Sequence, residues 1–151
     1  MITKEVFLVL NLGLAFYNIG TIWAHEIDIF RTWKLINDPG IFHTVQEVHW
    51  KKLPYWVFIP VGVALLGSVT LFWFHPDKIN TWEIAVAFGS QLVSLILTAI
   101  FWGQWQAKLS KDESGSSCLY LEKILRTHWI RTALINIYGL MLLYMTIQIL
   151  A

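Results

Sequence analysis

The sequence predicts an all-α integral membrane four-helix bundle, and three observations lead there. The chain has 151 residues, of which 56% are apolar, far above an ordinary soluble domain. The apolar residues gather into four runs of the length needed to cross a hydrocarbon core of about 30 Å. Tryptophans and tyrosines (Trp23, Tyr55, Trp56, Trp73, Trp82, Trp102, Trp105, Trp129) crowd the ends of those runs, as interfacial belts do.

The spans fall at about residues 6–24, 54–74, 83–105 and 129–151, forming a single domain. The first is too long for a signal-peptide core and has no small-residue cleavage site, so it is expected to remain in the mature protein. Two short extensions are expected beyond the bilayer. "HEIDIFRTWKLI" continues the first helix, and "IFHTVQEVHWKKL" leads into the second after the turn signal "NDPG". Pro54 is tolerated at the start of a span, whereas Pro60 inside one predicts a kink or an opened backbone. "SKDESGSS" reads as the flexible loop, and "CLYLEKILRTHWIRT" as the helical lead-in to the fourth span.

Basic residues set the expected orientation. The two long connections and their flanks hold nine: Arg31, Lys34, Lys51, Lys52, Lys108, Lys111, Lys123, Arg126 and Arg131. The termini and the turn "HPDKINT" hold two, Lys4 and Lys78. The long connections are therefore expected in the cytoplasm and the termini outside, with a bacterial inner membrane as the location. A net charge of +1 excludes a strongly basic nucleic-acid surface, and one cysteine, Cys118, excludes an internal disulfide or a cysteine-rich metal cage. The expected partners are the lipid bilayer and a hydrophobic small molecule; a small four-helix core is also compatible with a homo-oligomer.

Polar groups inside a span are costly, so their periodicity is informative. Asn11, Asn18 and His25 recur every seven residues on the first helix, close to one face. Gln91, Ser94 and Thr98 lie on one side of the third, and His128, Thr132 and Asn136 form a stripe about 80° wide on the fourth. These seams should face inward around a polar cavity. Four of the five histidines, His25, His43, His49 and His128, fall at the cytoplasmic end; His75, in "FHPD", falls at the other and reads as an interfacial turn residue.

Asp28 follows His25 by three residues and Glu47 follows His43 by four, spacings that put each pair on one helix face. His25, His43, Glu47 and His128 are thus expected to converge at the bundle mouth. Such a set could hold iron, copper or zinc, two of its histidines could ligate a haem, or it could work without a metal. In the metal-free version His128 or His43 acts as a base, and Arg131 or Asn136 stabilises the anion. The alternative is that interfacial histidines and charges only cap helix ends and pair with each other. His43 and His49 lie about 120° apart, so both are not expected in one site. The spacing matches neither the HExxH zinc helix nor the Glu-x-x-His pairs of di-iron bundles.

"THWIRTALIN" and "NDPGIFHTVQEVHWKKLPYWVFIPVG" together resemble two signatures of the anthrone-oxygenase-like family of small four-helix membrane proteins. The likeness runs from about Gly13 to Ile147. It implies oxidation of an anthrone-type or quinone-like aromatic by molecular oxygen, with no recognised cofactor. The matched positions are His128, Trp129, Arg131 and Thr132 in the first signature, and Phe42, Pro54 and Pro60 in the second. The chain departs from the family pattern at "FWGQWQAKL" and at "IWAHEIDIF", where an acid-flanked histidine replaces an apolar stretch. A non-enzymatic membrane subunit is the remaining expectation. The four-helix enzymes of glutathione and eicosanoid metabolism share the size, but their arginine- and asparagine-rich second-helix motif is missing here.

Overall fold

A computed structural model describes residues 2–151 and contains four long helices: α1 (Lys4–Lys34), α2 (Pro39–Thr70), α3 (Thr81–Leu109) and α4 (Leu119–Leu150). All four are long and apolar enough to cross a membrane. At 1.5 Å per residue each spans more than about 40 Å, so each continues past the hydrocarbon core. Both extensions expected of the first two helices are helical, and the lead-in to α4 is one unbroken helix with it. Among the described residues there is no strand. The lipid-type surface is explicit in the exposed apolar side chains, from Val9 and Phe16 on α1 to Leu66 on α2 and Leu140 on α4.

Each helix start has a local cause. The Thr3 hydroxyl accepts from the Val6 N–H at 3.3 Å. Asp38 accepts from the Ile41 N–H at 2.9 Å, with Pro39 in the first helical position, where a missing N–H costs nothing. Glu83 closes back on the Asn80 N–H at 3.0 Å and also accepts from Gln148 Nε2 at 2.7 Å, which satisfies a fully buried carboxylate. The loop before α4 is organised on Asp112, which accepts from the Ser114 N–H, the Ser114 hydroxyl and Cys118 Sγ. The Ser114 hydrogen bonds hold the Asp112 carboxyl below its usual range, and burial pushes the Cys118 thiol up. Cys118 is thus a packed, unactivated thiol. Gly115 sits in this loop at φ +61°, a conformation that favours glycine.

Helix α4 packs against both α1 and α3, and α2 closes the bundle against α1 and α3. A side chain at Gly139 would run into Ile19, so its absence is what lets α1 and α4 approach so closely. The half of the bundle holding both termini is sealed by Leu8, Leu71, Ile84, Leu142 and Met145. The other half is built on larger rings, with Phe30, Trp33, Phe42 and Trp102 buried beside Leu109, Leu121 and Ile124. The polar seams face inward as the periodicity predicts: Asn11, Asn18, His25, Gln91, Ser94, His128 and Thr132 are all buried.

The ring-rich half also contains three irregular turns. Each of α1, α2 and α3 is interrupted by a π-helical turn, at His25–Ile29, Pro54–Phe58 and Thr98–Trp102. In α2 the Ile59 N–H reaches back to the Pro54 carbonyl, so the opening expected near Pro60 lies just before it. A π-turn inserts one extra residue, which shifts the phase of everything beyond it by about 100°.

Candidate functional site

The three π-turns surround a buried histidine–arginine centre. Glu26, inside the α1 π-turn, turns inward and accepts from His128 Nδ1 at 2.8 Å. A carboxylate accepts only, so Nδ1 carries the proton and Nε2 keeps its lone pair, which receives a hydrogen bond from Arg131. Glu26, His128 and Arg131 thus form a line in which the carboxylate fixes the imidazole and the imidazole fixes the guanidinium. Arg131 also reaches Thr98 Oγ1 at 3.4 Å, and its guanidinium carbon lies 5.4 Å from the centre of the Trp102 ring. Among the described residues no carboxylate forms an ion pair with Arg131.

His25 stands beside this line, its ring centre 6.4 Å from that of His128. It donates from Nδ1 to the Thr21 carbonyl at 2.8 Å, leaving Nε2 as the lone-pair nitrogen. Its ring stacks on Trp56 at 5.1 Å, lies tilted against Phe30 at 5.3 Å and meets His49 edge-on at 5.5 Å. His49 in turn packs against Trp33 at 4.8 Å. An aromatic box therefore holds His25, and His49 closes one side of it.

His25 and Arg131 face a common cavity of about 110 Å³. Its inner end is walled by Asn18, Ser94 and Ile135, and its outer end by Trp50, Leu53 and Gln106. Val57 and Phe58 of the α2 π-turn form a further wall, and Phe58 is half exposed on the outer surface. A cavity of about 150 Å³ holds one benzene ring, so a fused-ring ligand would reach beyond this space. Two buried polar atoms without partners, Asn18 Nδ2 and Arg131 Nε, belong to residues that line it. Buried groups of this kind are normally bonded to protein or water, so both are free to meet a ligand in the cavity.

The structure reassigns the second-helix residues. His43 and Glu47 do not join His25 and His128. They line a separate outer groove with Thr44, Trp50 and Ser110, and Glu47 pairs with Lys51 at 2.7 Å on the exposed face. The buried stripe is instead Phe42, Gln46 and Leu53, with His49 along its edge. Asn136 does not reach the cavity either: it donates to the Thr132 carbonyl at 2.7 Å and accepts from Trp23 Nε1 at 3.4 Å. Asp28, chosen by its spacing from His25, faces outward and accepts from Thr32 at 3.0 Å. Glu26 takes its place at the centre because the π-turn breaks the 3.6-residue phase on which that spacing relied. His75 is a turn residue, bonded to the Pro76 carbonyl at 2.9 Å.

No group of three or more His, Cys, Asp or Glu side chains is placed to hold a metal ion among the described residues. His25, His43, Glu47 and His128 do not gather into one such group. Fold and site together define an all-helical bundle of integral-membrane type with a buried histidine–arginine cavity. No family model, no curated protein and no solved structure matches this chain.

Proposed function

We propose that this protein is a membrane-embedded oxidoreductase of the anthrone-oxygenase-like type, oxidising a hydrophobic phenolic or quinone-like ring with molecular oxygen. The observation that carries the reading is Arg131. It is a cation inside the bundle, forms no ion pair with a carboxylate among the described residues, and lines an apolar cavity next to a histidine with a free lone pair. A fixed guanidinium there lowers the energy of an oxyanion on a bound ring, and a neutral imidazole at the same level accepts the proton whose loss creates it. Both ring nitrogens of His128 are engaged, so the base is His25, with Glu26 and His128 positioning Arg131.

The chemistry balances with oxygen as the sole oxidant. His25 Nε2 takes the O–H proton of the enol form, and Arg131 holds the oxygen. The ring carbon opposite then carries the nucleophilic electron pair and adds to O₂. Loss of that carbon's hydrogen with the departing hydroxide leaves a carbonyl, and the hydroxide recovers the proton from His25 as water. One oxygen atom enters the product and one leaves as water.

The ligand is expected to enter from the bilayer past Phe58, with the termini outside, the long connections in the cytoplasm and the protein in a bacterial inner membrane. The test is oxygen uptake by the purified protein in detergent with anthrone as substrate. One O₂ should be consumed per quinone formed. His25→Ala and Arg131→Leu should each reduce turnover about 10²-fold or more; undiminished turnover in both variants would sink the proposal.

A further inference from the structure

The cavity has a second polar end that the reaction centre does not use. Asn18 is 5% exposed, its Nδ2 has no hydrogen-bond partner, and the residue lies in the cavity wall beside Ser94, itself 3% exposed. Ser94 lies one helical turn inward from Thr98, the residue that meets Arg131. Both line the cavity, and Thr98 Oγ1 is tied to the Ser94 carbonyl at 2.7 Å, which holds the two levels in register. One turn is about 5.4 Å, so Ser94 and Thr98 mark two different levels of the cavity. An unpartnered amide buried inside a membrane-type bundle is costly, and a carbonyl oxygen arriving in the cavity would satisfy it.

We propose that Asn18 and Ser94 form a second oxygen pole, which receives the carbonyl opposite the one held by Arg131. This rests on the reading of the cavity as a phenol and quinone site. It deepens that reading by naming the residues that meet the product's second oxygen, which the starting compound does not carry. Asn18 and Ser94 face empty space while the substrate is bound and meet the oxygen that O₂ delivers. Asn18 is thus a specificity-determining residue for the para-quinone product.

The experiment measures binding of a one-ended and a two-ended probe, 1-naphthol and 1,4-naphthoquinone, to the purified protein in detergent by titration calorimetry. Asn18→Leu should weaken 1,4-naphthoquinone about tenfold, the worth of one buried hydrogen bond, and leave 1-naphthol within about twofold. Ser94→Ala, a milder change, should act in the same direction on the quinone alone. Arg131→Leu should weaken both probes. Equal effects of Asn18→Leu on the two probes, or no effect on either, would overturn the second pole, while weakening of both by Arg131→Leu would leave the cavity reading standing. Failure of the unaltered protein to bind either probe would remove both.

Discussion

Two histidines six residues apart on α2 have opposite fates. His49 is held against Trp33 and His25 at the edge of a buried stripe, whereas His43 sits in an outer groove with Glu47 and Ser110. Their sequence surroundings explain the difference. His43, Glu47 and Lys51 follow one another at four-residue steps, and an acid four residues before a lysine is the pattern of a solvated helix face. Phe42, Gln46, His49 and Leu53 recur at steps of four, three and four, with apolar residues at both ends, which is the pattern of a face that packs. A histidine beside a carboxylate at helical spacing therefore marks a surface more readily than a site. A histidine between buried apolar residues is the one to follow.

Substitutions can break or sharpen this contrast, beginning with the largest expected effect. Phe42→Ala removes a side chain that is 0% exposed and should cost about 3–5 kcal/mol in thermal unfolding in detergent. On the outer face, Ile41→Ala, at a residue 58% exposed, should leave the unfolding midpoint unchanged. Next, Arg131→Leu should lower oxygen uptake by about 10²–10³-fold, since it deletes a cation facing the cavity. Glu26→Gln comes third. It keeps a partner for His128 but loses the charge that orients the imidazole, and should reduce turnover about tenfold with substrate affinity nearly unchanged. Smallest of all, Glu47→Gln should leave turnover and melting temperature as they are, because its pair with Lys51 is solvated.

Much of the fold is legible in the sequence because each part has a strong periodic cause. The four spans follow from run length, their extensions from the capping of Asp38 before Pro39 and from the continuous helical pattern before His128. The inward seams of Asn11, Asn18 and His25 and of Gln91, Ser94 and Thr98 follow from the cost of polar groups in lipid. The centre is only half legible. His25 and His128 are visible as polar residues on inward faces, and Arg131 as a cation three residues after His128. Glu26 is hidden, because its inward direction depends on a π-turn at His25–Ile29 that no 3.6-residue count anticipates. The same phase argument that favours Asp28 fails one residue into that turn. For α2 the signal was present but in competition: Phe42 and Leu53 flank the buried stripe, while the charged stripe next to it offers the more chemical-looking residues. The orphaned amides of Gln46 and Asn18 show up only when burial and partners are known together.

The measurement that tests the account most directly is oxygen uptake with anthrone for His25→Ala and His43→Ala, prepared in parallel with matched melting temperatures. The account expects turnover to collapse in His25→Ala and to persist in His43→Ala. Persistence in His25→Ala with collapse in His43→Ala would contradict it, placing the chemistry on the outer groove instead of in the cavity.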